Sequence, residues 1–142
     1  MRPRFLGALL LPAFALAGCD RAPPESEMAQ ALREAPPEHV FRGVLAGQPV
    51  HLIVHDCEVF RVEHDARGAL HGTRVLAPEP YPFFTGCERQ SLRAEPGAVV
   101  AVLGRQALGA GGCCATGGTY RSVDGRRWTK RRAGLRQAQP ER

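Results

Sequence analysis

Val50-His51-Leu52-Ile53-Val54-His55-Asp56-Cys57-Glu58-Val59-Phe60-Arg61-Val62-Glu63-His64 is the stretch that decides the fold. β-Branched and aromatic residues dominate it. From Cys57 onward polar side chains (Glu58, Arg61, Glu63) interleave with apolar ones (Val59, Phe60, Val62) at close to every second position. A period near two sends alternate side chains to opposite faces of an extended chain, so two strands are expected on either side of a break at Asp56.

The pattern extends both ways. Upstream, Val40–Ala46 reads as a strand ending in Gly47-Gln48-Pro49. Downstream, Asp65-Ala66-Arg67-Gly68 reads as a turn and Ala69–Leu76 as a further strand. Pro78, Pro80 and Pro82 lack ladder donors and exclude regular pairing through Phe83. Leu92–Leu103 contains the turn Glu95-Pro96-Gly97, followed by Ala98-Val99-Val100-Ala101-Val102-Leu103, whose unbroken apolar run suits a deeply buried strand. Gly118–Ser122 and Arg126–Lys130 flank Val123-Asp124-Gly125, a hairpin signal. Short strands at this spacing predict a mainly β domain, either a small antiparallel sandwich or a partly open barrel.

The first residues have a different character. Arg2 and Arg4 precede Phe5–Ala17, which is uncharged and nearly all apolar. The run is too short for a helix spanning a hydrocarbon core, which takes about 20 residues. Its length is that of the apolar region of an export signal. It ends in Leu16-Ala17-Gly18-Cys19. This ending resembles the lipobox of bacterial lipoproteins. The resemblance implies that residues 1–18 are removed, that the Cys19 thiol takes a diacylglycerol thioether, and that the new amine takes a further acyl chain such as palmitate. Two or three chains anchor a protein stably where one holds it marginally. The expected partner is therefore a membrane, reached through the N-terminal lipid, with the domain facing the periplasm. Asp20 resembles the signal that retains lipoproteins on the inner membrane in enteric bacteria. It tilts the choice between inner and outer membrane towards the inner one without deciding it.

Organisation follows from this reading. Residues 19–37, with Pro23, Pro24, Pro36 and Pro37, are expected to form a lipid-anchored tether in which residues 25–34 can make a short helix with a thin apolar side of Met28, Ala31 and Leu32. Residues 38–132 form the β domain. Residues 133–142 are polar and unpatterned, and disorder is expected there. The formal net charge of +5 falls when Arg2 and Arg4 leave with the signal. The remaining excess is too mild to imply nucleic acid, the wrong partner for an exported chain in any case.

Of five cysteines, Cys19 is spoken for by the lipid, which leaves Cys57, Cys87, Cys113 and Cys114. An even set in an oxidising compartment reads as a disulfide staple on a modest core. Neighbouring Cα atoms lie about 3.8 Å apart, and disulfides prefer about 5.5 Å. Cys57 and Cys87 are therefore expected to pair, each with one member of Cys113-Cys114.

No catalytic set stands out, and no cofactor or metal is predicted. The glycine-rich run Gly109–Gly118 lacks the Gly-Lys-Ser/Thr ending of a phosphate loop. Cys113-Cys114 lacks the Cys-x-x-Cys spacing of thiol oxidoreductases. On one strand His51 and His55 would stand about 13 Å apart, too far to share a metal unaided. With His64, His71, Asp56, Asp65 and Cys57 they still define the alternative, a metal-binding protein or enzyme built on a His/Cys cluster. Ser122-Val123-Asp124-Gly125-Arg126-Arg127-Trp128 resembles the Asp-box hairpin of sialidase-like and other β-propellers, with one residue fewer between Asp and Gly. The resemblance implies that Asp124 braces the turn and Trp128 packs inward. A single copy excludes a propeller. Arg126, Arg127, Lys130, Arg131, Arg132 and Arg136 form a basic cluster suited to an anionic bilayer. The expected function is a membrane-anchored envelope lipoprotein, a non-enzymatic binding or structural module with an envelope protein as partner.

Overall fold

The computed structural model describes residues 25–109 and 111–132. Cys19, the 1–18 signal and the 133–142 tail lie outside the described residues. Helix α1 (Glu27–Glu34) and a 3-10 turn (Pro37–His39) precede eight strands: β1 (Val40–Leu45), β2 (Gln48–His55), β3 (Glu58–His64), β4 (Leu70–Leu76), β5 (Thr85–Glu95), β6 (Ala98–Ala107), β7 (Thr116–Ser122) and β8 (Thr129–Arg131). They form two four-stranded antiparallel meanders, β1–β4 and β5–β8, packed face to face and not closed into a barrel. The sandwich is thus the form taken.

Alternation builds the core. Phe41 and Leu45 from β1, Leu52 and Val54 from β2, and Val59 from β3 face Leu92, Val99, Ala101, Leu103 and Tyr120 of the second sheet in one buried cluster. Two tight turns set the register of the first sheet. Leu45 pairs with Gln48 and His55 with Glu58. The central residues Ala46-Gly47 and Asp56-Cys57 all have positive φ, the geometry whose twist matches paired strands. In the second sheet Pro96-Gly97 closes β5 on β6, with Gly97 supplying φ 66°.

Three elements depart from expectation. β5 starts at Thr85, seven residues before Leu92, because the prolines end at Pro82 and the chain can pair once they stop. The hairpin at Asp124 is a loop spanning residues 123–128, so Arg126, Arg127 and Trp128 lie in the turn. Helix α1 is docked on the domain. Ser26 caps it by accepting the Ala29 amide at 3.2 Å. Met28 presses on Gly72, a position where any Cβ would collide with the Met28 methyl. The outer face of the first sheet needs that cover. Ile53 and Val62 are buried although they point away from the inter-sheet core, and Phe60 beside them is half-buried.

The cysteine pairing differs too. Cys57 bonds Cys87 across 5.4 Å between Cα atoms, and Cys113 bonds Cys114. The expectation that Cys57 and Cys87 each reach into the 113–114 pair is therefore corrected. The β2–β3 turn lies on β5, where the Cys57 amide donates to Gln90 Oε1 at 2.8 Å. That contact seats Cys57 beside Cys87 and leaves Cys113 and Cys114 to each other.

Candidate functional site

Antiparallel order gathers particular segments at each end of the sandwich. At one end lie the start of β1, the β2–β3 turn, the β4–β5 crossover (residues 77–84) and the β6–β7 loop (residues 108–115). The Cys57–Cys87 bond ties the two sheets together there. At the other end lie the β1–β2, β3–β4, β5–β6 and β7–β8 connections.

The crossover end carries the candidate site. Proline keeps the crossover extended and unpaired, and Glu79 clamps it down. Glu79 accepts from Lys130 Nζ at 2.7 Å and from the Tyr120 hydroxyl at 3.3 Å. The Lys130 bond holds the Glu79 carboxyl below its usual range. Burial, followed by the Glu79 charge, pushes the Tyr120 phenol up. Lys130 also lies 5.7 Å from the Tyr120 ring centre, a cation–π contact.

Beyond the clamp the crossover turns its side chains outward. Phe83 is 73% exposed, Phe84 86% and Leu108 70%, with Tyr81 also exposed. Tyr81 and Phe83 meet edge to face at 6.0 Å. The Leu108 amide donates to the Phe84 carbonyl at 3.0 Å, which fixes the two apolar segments side by side. Isolated apolar residues on a surface are ordinary, but here four exposed apolar and aromatic side chains fall on two adjoining segments.

Cys113-Cys114 sits beside this patch. Its sulfurs lie over Gly104, where a Cβ would collide with Cys114 Sγ. Arg89 Nη2 stands 3.7 Å from Cys113 Sγ and 3.5 Å from Cys114 Sγ. Two cavities flank the pair. One of about 310 Å³ is lined by Tyr81, Ala107, Gly111, Gly112, Cys113, Cys114 and Ala115. The other, of about 460 Å³, includes Glu79, Arg89, Cys114, Thr116 and Lys130 in its wall. The Thr116 hydroxyl is buried there without a hydrogen-bond partner.

The opposite end is closed by its own hydrogen bonds. Asp124 Oδ1 accepts the amides of Arg126 and Arg127, both at 2.8 Å, and Ser122 Oγ accepts the Gly125 amide at 2.8 Å. These amides hold the Asp124 carboxyl far below its usual range. Trp128 packs against the core. The basic cluster is largely partnered: Arg126 with Glu63, Arg127 with Asp124, Lys130 with Glu79 and Arg131 with Glu95. Arg136 lies outside the described residues.

The histidines spread over the first sheet. Arg42 Nε donates to His51 Nε2 at 3.1 Å. Burial, then Arg42 and then His64 lower the His51 pKa, consistent with a neutral acceptor ring. His55 sits at the β2–β3 turn, His64 ends β3, and His71 stands opposite Glu63 on β4. All four domain cysteines are in disulfides, so none offers a thiolate beside these rings. Among the described residues no three His, Cys, Asp or Glu side chains are grouped to hold a metal ion.

Sequence reasoning picked the cysteines and missed the aromatic patch. Adjacent Phe83-Phe84 in an extended segment was the available signal, because neighbours there point opposite ways and cannot both enter one core. No family model matches the chain, nor does any curated protein or solved structure.

Proposed function

We propose that this chain is an exported lipoprotein precursor, acylated on Cys19, whose β-sandwich acts as a non-enzymatic binding module at the surface of the bacterial envelope. The observation that carries this reading is Leu16-Ala17-Gly18-Cys19 at the end of the uncharged run Phe5–Ala17. The cysteine arrangement supports it. The other four cysteines pair among themselves, as suits an oxidising compartment, and Cys19 is the odd one left over. The exposed crossover end supports binding as the role of the domain, because its apolar side chains gain by being covered.

Mass spectrometry of the protein purified from membranes tests the anchor. The expected product begins at Cys19 and carries the mass of a diacylglyceryl thioether and an N-acyl chain. A mature chain beginning elsewhere, or an unmodified Cys19 thiol, overturns the reading. Density-gradient separation of inner and outer membranes then tests whether Asp20 retains the protein on the inner one. Cross-linking from the crossover end in intact cells identifies the envelope partner.

A further inference from the structure

We propose that Cys113–Cys114 is a site of thiol–disulfide exchange, open to dithiol reductants, whereas Cys57–Cys87 is a permanent staple. Both bonds belong to the folded domain, so the exchange stands whether or not Cys19 is acylated.

The two bonds meet the same two residues, Arg89 on β5 and its partner Gly104 on β6, through different atoms. Cys57 Sγ stands 3.3 Å from the carbonyl oxygen of each. Cys87 Sγ lies 3.5 Å from Gln90 Oε1. Oxygen dipoles turned towards a sulfur oppose negative charge on it. Cys57 is also fully buried, so an incoming thiol does not reach it. Attack on Cys87 would have to expel a Cys57 thiolate against the two carbonyls.

Cys113 and Cys114 meet the guanidinium of Arg89 and the bare Cα of Gly104 instead. Arg89 Nη2 lies 3.7 Å from Cys113 Sγ and 3.5 Å from Cys114 Sγ. A guanidinium beside a sulfur stabilises the thiolate. Among the described residues Arg89 forms no ion pair, so no carboxylate neutralises that charge. Access is open as well. Cys113 is exposed, and Gly111 and Gly112 before it line the 310 Å³ cavity with no side chains to shield the bond. A bond between neighbours closes no long loop, so breaking it frees little of the chain.

The exchange balances with a dithiol as the reductant. One of its thiolates attacks the exposed Cys113 Sγ. The bond between the two cysteines breaks, and its electron pair leaves on Cys114 Sγ, the sulfur nearer Arg89. The second thiolate of the reductant then attacks its own sulfur in the mixed disulfide. That closes the reductant's disulfide and releases Cys113. Two electrons and two protons have passed from the dithiol to the pair. Both cysteines line the cavity beside Tyr81, so the exchange changes a wall of the crossover end.

The test exposes the native protein to graded dithiothreitol, traps free thiols with iodoacetamide and locates them by peptide mass spectrometry. Cys113 and Cys114 are expected to be freed at least about tenfold faster than Cys57 and Cys87, while the circular dichroism of the fold stays unchanged. Arg89→Gln is expected to slow that first reduction by about tenfold and to move alkylation of the reduced pair to higher pH. Arg89→Lys, which keeps the charge, should restore most of the rate and the native pH profile. Reduction of the two bonds together, in the opposite order, or only as the fold is lost overturns the proposal. So does an Arg89→Gln protein whose rate and pH profile match the native ones. Should Arg89→Gln fail to fold, the order of reduction in the native protein decides by itself.

Discussion

The two ends of this sandwich are finished in opposite ways. At the Asp124 end the backbone amides of the long loop are met by Asp124 and Ser122, and Arg126, Arg127 and Arg131 each find a carboxylate. At the crossover end Phe83, Phe84 and Leu108 point into solvent, while the backbone beneath them is fastened by Glu79, by the Phe84–Leu108 bond and by a disulfide. One end meets its loop amides and charges internally, with the buried Trp128 Nε1 left without a partner. The other holds apolar side chains outward on a rigid base, and burying each would gain roughly 1.5–3 kcal/mol. Rigid support with unsatisfied apolar surface is what a binding site needs, because little ordering is required when the partner arrives.

The largest effect that separates the ends should come from the staple. A Cys57→Ala/Cys87→Ala variant is expected to lose about 3 kcal/mol, because the bond closes a long loop and fixes the β2–β3 turn on β5. Urea unfolding measures the loss, and hydrogen exchange should place the added opening at the crossover end.

Asp124→Ala comes next, at about 2 kcal/mol, from the loss of charge-assisted hydrogen bonds to amides at the opposite end. The sign of its pH dependence follows from the lowered pKa. A carboxyl whose folded pKa is depressed contributes in full above its ordinary value near 4, and that contribution fades as pH falls towards the folded value. The difference between wild type and Asp124→Ala in urea unfolding should therefore be constant from pH 7 to about pH 5 and shrink below about pH 4.

Glu79→Gln should cost no more than about 1 kcal/mol, since the Lys130 pair is about half exposed and screened by solvent. Its local consequence is larger. Protease cleavage within residues 77–84 should accelerate, because the crossover loses its clamp to Tyr120 and Lys130. Unchanged cleavage would show that the crossover is held by other contacts.

Phe83→Ser/Phe84→Ser should change stability least, by under about 0.5 kcal/mol, because neither ring is packed in the core. The variant should bind less of a hydrophobic dye than wild type. A large loss of stability would mean that the patch belongs to the core after all and would erase the contrast between the ends.

Much of the sandwich was legible because alternation is local. Val59 and Val62 flank Phe60 and Arg61 whatever lies across the strand, and Asp65-Ala66-Arg67-Gly68 turns the chain by its own backbone preferences. The run Leu52-Ile53-Val54 also carried a signal for cover on both faces, since consecutive apolar residues on a strand cannot all point one way. Its meaning emerged only when Met28 was found above Gly72. The Asp124 brace was legible as well, because Ser122, Asp124 and Gly125 interact within a few residues of one another.

By itself the sequence determined the strand class and most of the turns, since each depends on residues that are neighbours along the chain. Tertiary structure alone decided that Cys57 takes Cys87, that α1 is a cover and not part of a free tether, and that Phe84 comes to lie beside Leu108. Those outcomes depend on which end of each strand meets which, over separations of 30 residues in the Cys57–Cys87 case. Such distances in space are fixed only when the two sheets close on their common core.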